Sequence, residues 1–550
     1  MGWGSDFIAA LSQSAIVPIY ELEFLALPNG FAGGFTLSST GGGQARIADN
    51  SPRCYGTSVI PGRWNVSFGG FDVDIVGDLR PFAAKISKGI YAILRCSIVS
   101  SAGTSPFEII GYGQLYSISG GRETFSLKFR DLLTALQTSS SIITAGAKHS
   151  TSTEYPEYRM FTNAGRATQL TNPWNGSALT LDVEEIGIFE KESSVNGLVK
   201  CENLSTSKLF YLQWSGAAVT SAPRGTITLT SAVAKYPSQD ASVALATGIT
   251  NNKISNAVRL KGTPWLIMAK ILQSTGDNNP AGTGSHGTLD TYPITWSAGG
   301  GFDPDIFDYA DAATMSEYVR TSTGTAYQWE IVLDSVPSDG FRYLTGVAAE
   351  TGQWPVWRQG AVSWRAAIDP TGIRCFQQPI VSTSISDIDI ISINSHEWFS
   401  PDINQNFGVS KMMITPNWLS GIESFNAVVA TVSTGKIKGL PAQTYRTYDA
   451  SQTYKQTSPH VPLDMANADL QRLKGWDGYN HESLTLQVKL KYAILCAGDI
   501  VEISSEFLYG KDQAPGATYT NTRAMVTGVD FSISEQLCNI NLAILPGRYL

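Results

Sequence analysis

A chain of 550 residues, 16% of them charged, with 52 glycines and a formal net charge of −8, has room for several buried cores and about three to five domains. Its low charge and its wealth of Gly, Ser and Thr favour strands and turns over long charged helices. The acidic balance excludes a surface built to grip phosphates, which needs concentrated Lys and Arg. It leaves one useful relation to DNA, that of a like-charged wall along which DNA slides.

The six cysteines are Cys54, Cys96, Cys201, Cys375, Cys496 and Cys538, and none forms a C-x-x-C pair. Without short ligand spacing, neither a structural zinc nor an iron–sulfur cluster is expected. Cys96, Cys496 and Cys538 sit in apolar strand runs and read as buried, reduced, small hydrophobes. The amino terminus lacks a basic region followed by a long apolar run, so no secretory signal is expected. No stretch reaches the ~18 apolar residues of a membrane span. These features predict synthesis in a cytoplasm.

In chain order, residues 6–12 predict a short amphipathic helix with Phe7, Ile8 and Leu11 on one side. The strand IYELEFLAL follows Pro18. Over 63–77, Trp64, Val66 and Phe68 share a face, and after the bend at Gly69-Gly70 so do Phe71, Val73 and Ile75. GIYAILRCSIV, IIGYGQLYSIS and TFSLKFRDLL then complete a first β module, 1–140. Residues 141–255 read as a β-rich outer insertion domain.

The texture changes at 256–375, read as an α+β domain. There TPWLIMAKILQSTG predicts a helix over 263–276, with Thr263 as cap, Pro264 at the first helical position and Gly276 as stop. A further helix is expected over 341–351, then a hairpin PVW…AVSW turned at 358–360. Residues 376–483 read as a connector with strands (DIDIISI, GVSKMMI, AVVATVS).

The last stretch, 484–550, closes the chain with LTLQVKL, GDIVEISSEFL, RAMVTGVDFSIS and CNINLAIL. Period-two alternation of β-branched residues, broken at Gly498-Asp499, marks half-buried strands of a second module. The order of a Gly-led strand, a polar turn, an (Ile/Val)-x-Gly strand and a closing strand echoes that of 89–133. The echo suggests an internal duplication, although any antiparallel meander would share it.

No constellation points to catalysis. His396-Glu397 opens like a zinc-protease motif, but position 400 is Ser where the second His belongs. Five histidines, at 149, 286, 396, 460 and 481, are too scattered for a triad. Asp303, Asp305, Asp308 and Asp311 lack EF-hand spacing and read as helix-start capping. Glu184/Glu185 and Asp387/Asp389 are neighbours on single strands, a poor arrangement for carboxylates that must flank a glycosidic bond. No G-x-S-x-G, P-loop or dinucleotide fingerprint occurs. The expectation is a non-enzymatic protein with no catalytic, metal or cofactor site.

The ordered set TPWLIMAKILQSTG, GTLDTYPITWSAGG and GFRYLTGVAAETGQWPVWRQGAVSW resembles the middle of hub proteins from the baseplate or tail tip of long-tailed, siphophage-type bacteriophages. FEIIGYGQLYSIS…FSLKFRDLL and GDIVEIS…RAMVTGVDFSIS…NINLAIL are similar to that family's first and last barrels. The resemblance covers about half the chain, and 141–255 and 376–483 show no family pattern.

It implies a mainly β fold with an α+β middle domain and outer domains. Two similar antiparallel, tube-type β-barrels would assemble as a trimeric ring. Three chains with two barrels each imitate a sixfold collar, which adapts a hexameric tail tube to a threefold tip. The implied partners are two further copies, a tail tube or distal tail protein above, and a tip, fibre or central spike protein below. Tape measure protein and DNA would pass through the lumen without sequence-specific binding. The implied location is the virion. The competing reading is a carbohydrate-binding or depolymerising tail protein, motivated by 13 Trp and 22 Tyr that could stack on sugars. A secreted adhesin is disfavoured by the missing signal peptide.

Overall fold

The computed structural model describes most of the chain. Residues 26–33, 134–166, 190–196, 233–244, 246–250, 273–305, 317–328, 334–343, 368–380, 398–406, 415–424, 428–443, 450–481, 511–516, 546–550 and a few single or short stretches lie outside the described residues. Trp64, Trp296, Cys375, Asp303, Asp305 and the histidines at 149, 286, 460 and 481 fall among the latter.

The first helix is α1 (Ser5–Leu11), whose Phe7 and Leu11 are buried. The first module follows with β1 (Ile16–Phe24), β2 (Phe35–Ser38), β3 (Ala45–Ile47), β4 (Arg53–Tyr55), the small β5–β6 ladder (Ser58–Ile60, Asn65–Ser67) and β7 (Gly70–Gly77). A 3-10 turn, Arg80–Phe82, leads to β8 (Tyr91–Ser100), β9 (Gly103–Thr104), β10 (Glu108–Gly120) and β11 (Thr124–Asp131). Alternation places Tyr20, Leu22 and Phe24 of β1 and Phe71, Val73 and Ile75 of β7 in the core. Glu21 and Glu23 stay towards solvent.

A second, seven-stranded sheet has its own core around Trp174, Phe210, Leu212 and Trp214. It comprises β12 (Ala167–Thr168), β13 (Thr180–Val183), β14 (Gly197–Asn203), β15 (Lys208–Ser221), β16 (Arg224–Leu229), β17 (Asn252–Gly262) and β18 (Trp329–Leu333). Between β17 and β18 lie α2 (Pro264–Leu272) and α3 (Tyr309–Ser316), and after them the hairpin β19 (Gln353–Arg358) and β20 (Ala361–Ala366). Of the helix expected at 341–351, residues 344–346 and 348 are helical.

Next come β21 (Val381–Ser386), the 3-10 turn Asp387–Asp389 and β22 (Ile390–Glu397), then a separate three-stranded sheet of β23 (Phe407–Ile414), β24 (Phe425–Ala427) and β25 (Thr444–Asp449). The closing strands are β26 (Ser483–Lys489), β27 (Ile500–Ser505), β28 (Tyr519–Ser532) and β29 (Leu537–Ile544), with a 3-10 turn, Leu490–Ile494, after β26.

The two ends of the chain share a strand order. In the first module a strand, a 3-10 turn and three strands lie side by side as β7-β11-β10-β8; in the second they lie as β26-β29-β28-β27. Both copies carry bulges on the middle strand, at Ile109/Gly111 and Leu115/Ser117 in one and at Val526/Gly528 in the other. They differ at the next strand, since β1 runs antiparallel to β8 whereas β21 runs parallel to β27.

The barrel expectation needs correction, because among the described residues neither module closes into a barrel. The edges come from strands consecutive in sequence, β2 and β3 in the first module and β21 and β22 in the second, and among the described residues no ladder joins either pair. Strands 381–397, placed by the sequence in a connector, are in fact the second module's edges.

Candidate functional site: the seam between the terminal modules

A three-residue strand unites the two modules. β4 pairs with β7 through Arg53↔Asp72, Cys54↔Phe71 and Tyr55↔Gly70, and with β28 through Tyr55↔Asp530 and Cys54↔Phe531. Both modules therefore belong to one 15-stranded sheet, and their inner faces form one contiguous core running from Phe7 and Leu22 to Leu486 and Ile540. The approach at the seam is close: a Cβ on Gly69 would lie 2.0 Å from the Tyr55 carbonyl oxygen, so only glycine fits there.

The tip of the β19–β20 hairpin is wedged into this seam. The Trp357 N–H donates to Thr57 Oγ1 at 3.3 Å in the first module, and Gln359 Nε2 donates to the Ile494 carbonyl at 3.4 Å in the second. Trp3, just before α1, lies alongside and donates its indole N–H to the Ile109 carbonyl at 2.7 Å.

The hairpin shaft is locked by buried charge. Every residue of β20 is buried, and Arg365 is 2% exposed. Its Nε donates to Asp499 Oδ1 at 2.8 Å and its Nη1 to Asp311 Oδ2 at 2.7 Å. Arg358 Nη1 reaches Asp311 Oδ1 at 2.9 Å, and the Cys496 N–H donates to Asp499 Oδ2 at 3.0 Å. Burial pushes the Asp311 carboxyl up, but Arg365 and Arg358 more than offset it and hold it below its ordinary value. Burial likewise opposes the Arg365 cation, yet Asp499 and Asp311 keep it charged. Trp354 lies beside them, fully buried, and donates its N–H to the Ala497 carbonyl at 3.3 Å. Gly498 sits at φ +106°, where a Cβ would come within 2.6 Å of Arg365 Cβ.

The residues singled out in the sequence are placed as follows. Asp308 caps α3, its Oδ1 accepting the Asp311 N–H at 3.0 Å. Asp311, read as a second capping group, instead turns to the hairpin arginines. Thr263 does not cap α2, since its hydroxyl is buried with no partner among the described residues. The Trp265 N–H is taken by Gln353 Oε1 at 2.9 Å.

Glu184 pairs with Arg224 at 2.9 Å, and the Glu185 N–H donates to Thr168 Oγ1. Asp387 accepts the Glu506 N–H, while buried Asp389 accepts from Tyr492 Oη at 2.8 Å and pairs with Lys491 at 2.8 Å. His396 lies on β22, its Nε2 3.3 Å from both Glu482 Oε2 and Tyr519 Oη, and Glu397 accepts from Ser483. Cys54, Cys96, Cys201, Cys496 and Cys538 are free and buried, and burial raises each thiol above its ordinary value.

The outer edge of the second module is apolar. No strand among the described residues registers against the far side of β22. Ile391 and Ile393 on it, Ile388 in the preceding turn and Phe507 beyond β27 are exposed, the last two by 77% and 73%. In the first module, among the described residues, residues 16–19 of β1 pair with β8 alone, and Val17 is exposed. By contrast Trp3, Trp174, Trp214, Trp265, Trp354 and Trp364 are 6% exposed or less, so none of these six offers a face to a sugar.

No protein-family model and no curated protein matches the chain. Among solved structures it is similar to the tail protein from Neisseria meningitidis MC58, at 11% identity and a TM-score of 0.34, over 96% of each chain. It is also similar to the 43 kDa tail protein of prophage MuSo2 from Shewanella oneidensis, at 11% identity and a TM-score of 0.36, over 96% of this chain and 98% of that one. A chain in the virion of a native gene transfer agent particle matches at 14% identity and a TM-score of 0.17, over 46% of this chain and 83% of that one. Likenesses this distant carry no weight for function, which rests on the chain's own sequence and geometry.

Proposed function

We propose that the chain is a structural, non-enzymatic subunit of a bacteriophage tail, the hub at its tip or baseplate. Three copies form a ring in which each contributes its two terminal modules. The observation that carries this reading is the shared strand order of the two modules, fused edge to edge through β4 over one core. A polypeptide holding two similar units at a fixed angle lets a trimer present six similar positions. The ordered sequence resemblance to tail hub proteins points the same way.

The surfaces fit such a ring. An open edge strand with outward isoleucines invites strand addition. The free side of β22 in one copy and a free edge of the first module in the next supply the two halves of a head-to-tail contact that closes after three repeats. The net charge of −8 suits a lumen through which DNA passes without sticking. In the virion the ring would meet a tail tube or distal tail protein on one side and a tip, fibre or spike protein on the other.

Sedimentation of the purified chain tests the proposal: a trimer is expected, and a monomer at micromolar concentration rejects it. Incubation with host polysaccharide tests the alternative depolymerising role, and no release of reducing sugar is expected.

A further inference from the structure

The two terminal modules match residue by residue. In the first, the Gly89 N–H donates to the Leu115 carbonyl and the Leu115 N–H to the Ile90 carbonyl, both at 2.8 Å. In the second, the Gly498 N–H donates to the Val526 carbonyl at 2.7 Å and the Val526 N–H to the Asp499 carbonyl at 2.8 Å. A bulge follows at once in both, at Leu115/Ser117 and at Val526/Gly528. Counted along the ladders from there, Ser119 of β10 matches Asp530 of β28, and Gly120 matches Phe531. Residues 70–72 of β7 likewise match residues 483–485 of β26.

This correspondence gives β4 a counterpart. Residues 53–55 of β4 register against 70–72 of β7, and residues 395–397 of β22 register against 483–485 of β26. The last three residues of β22 are therefore the second module's version of β4. β4 has a further partner, since Tyr55 and Cys54 register against Asp530 and Phe531 of β28. The matching stretch of β10 is open: among the described residues, Ser117–Gly120 pair with β11 alone. Burial shows the same difference, because Ile118 is 45% exposed whereas Val529, its match in the second module, is 3% exposed.

We propose that Ser395–Glu397 of one copy add to Ser119–Gly120 of β10 in the next, repeating between chains the seam that β4 makes within one. The proposal rests on the trimeric reading and names the edge that β22 meets. Three seams within chains and three between them then alternate around the ring. The other free edge of the first module, residues 16–19 of β1, suits strand addition less well. Tyr20 turns its N–H and carbonyl to that side, where Ser39 engages them at 2.9 and 3.0 Å. By alternation Pro18 faces the same way, and it has no N–H to donate.

Disulfide trapping in the full chain reads the register. Within the chain, Tyr55 and Asp530 lie one step from the bond between the Gly56 N–H and the Val529 carbonyl at 2.8 Å. Theirs is a non-hydrogen-bonded pair, with Cα atoms about 4.5 Å apart, a separation that a disulfide spans. The matching pair between copies is Glu397 and Ser119, both exposed. Glu397→Cys with Ser119→Cys, oxidised with copper phenanthroline, should give covalent dimers and trimers on a non-reducing gel. Glu397→Cys with Val17→Cys, on the β1 edge, should give none. A trimer in sedimentation that lacks the 397–119 link, or that forms the 397–17 link instead, overturns this register and leaves the ring standing. A monomer rejects both. Should the cysteine pair not fold, Ile118→Lys decides. Its side chain is covered only between copies, so association should weaken at least about tenfold with circular dichroism unchanged. Unaltered association overturns the proposal.

Discussion

Replacing Arg365 by Met removes the cation at the centre of the hairpin lock while keeping most of its apolar volume. The guanidinium is 2% exposed and bonded to two carboxylates, at 2.8 and 2.7 Å. Removing one partner of a buried pair costs about 3–5 kcal/mol, because the remaining charge is left desolvated. Here Arg358 still holds Asp311 at 2.9 Å and the Cys496 N–H still holds Asp499 at 3.0 Å. The loss should therefore sit near the low end, about 3 kcal/mol, or on the order of 100-fold in the opening equilibrium. A chain with several cores does not unfold in one step, so the assay must be local: exchange protection of the β19–β20 amides at neutral pH. Adding Asp499→Asn neutralises the stranded carboxylate, and about 1–2 kcal/mol should return. Unchanged hairpin protection in Arg365→Met, or no recovery in the double variant, would refute the argument.

Three further outcomes follow from the same geometry. Gly498→Ala should destabilise the hairpin contact by about 1–3 kcal/mol, because a Cβ there meets Arg365 at φ +106°; exchange of β19–β20 and of the turn before β27 measures it. Asp311 is held below its ordinary value, so its contribution is present above about pH 4 and lost as pH falls through its folded value. Hairpin protection should therefore weaken in acid, and exchange of the β19–β20 amides followed downward from about pH 5 measures it. Ile391→Lys with Ile393→Lys should leave the fold and its circular dichroism unchanged, since both residues are exposed, yet abolish self-association in sedimentation.

Local chemistry was legible in the sequence. Phe71, Val73 and Ile75 alternate into the core as their pattern predicts, Pro264 opens α2, and the turn at Gln359 and Gly360 joins β19 to β20. What depends on distant partners was not. The cap of α2 comes from Gln353, 88 positions from the Trp265 it serves, and no local pattern announces it. β4 is only three residues long, too short for a periodicity signal, yet it joins the modules. β21 and β22 looked like connector strands because their partners, β27 and β26, lie about 90 to 120 positions away.

The buried lock was missed although a signal existed. Arg365 follows the apolar run AVSW in a strand buried on both faces, a setting in which a cation requires carboxylates. Asp311 and Asp499 were both noted in the sequence, one as a cap and one as a turn residue, and nothing local linked them. The expected barrels fail to close for a related reason. Alternation fixes which face of a strand is buried but not whether the first and last strands meet.

The adaptor role is tested most directly by electron microscopy of the purified full chain, class-averaged down its axis. A ring of three copies showing six similar densities around an open channel is the predicted result. A single compact particle, or a closed assembly whose paired modules face away from a common axis, contradicts it.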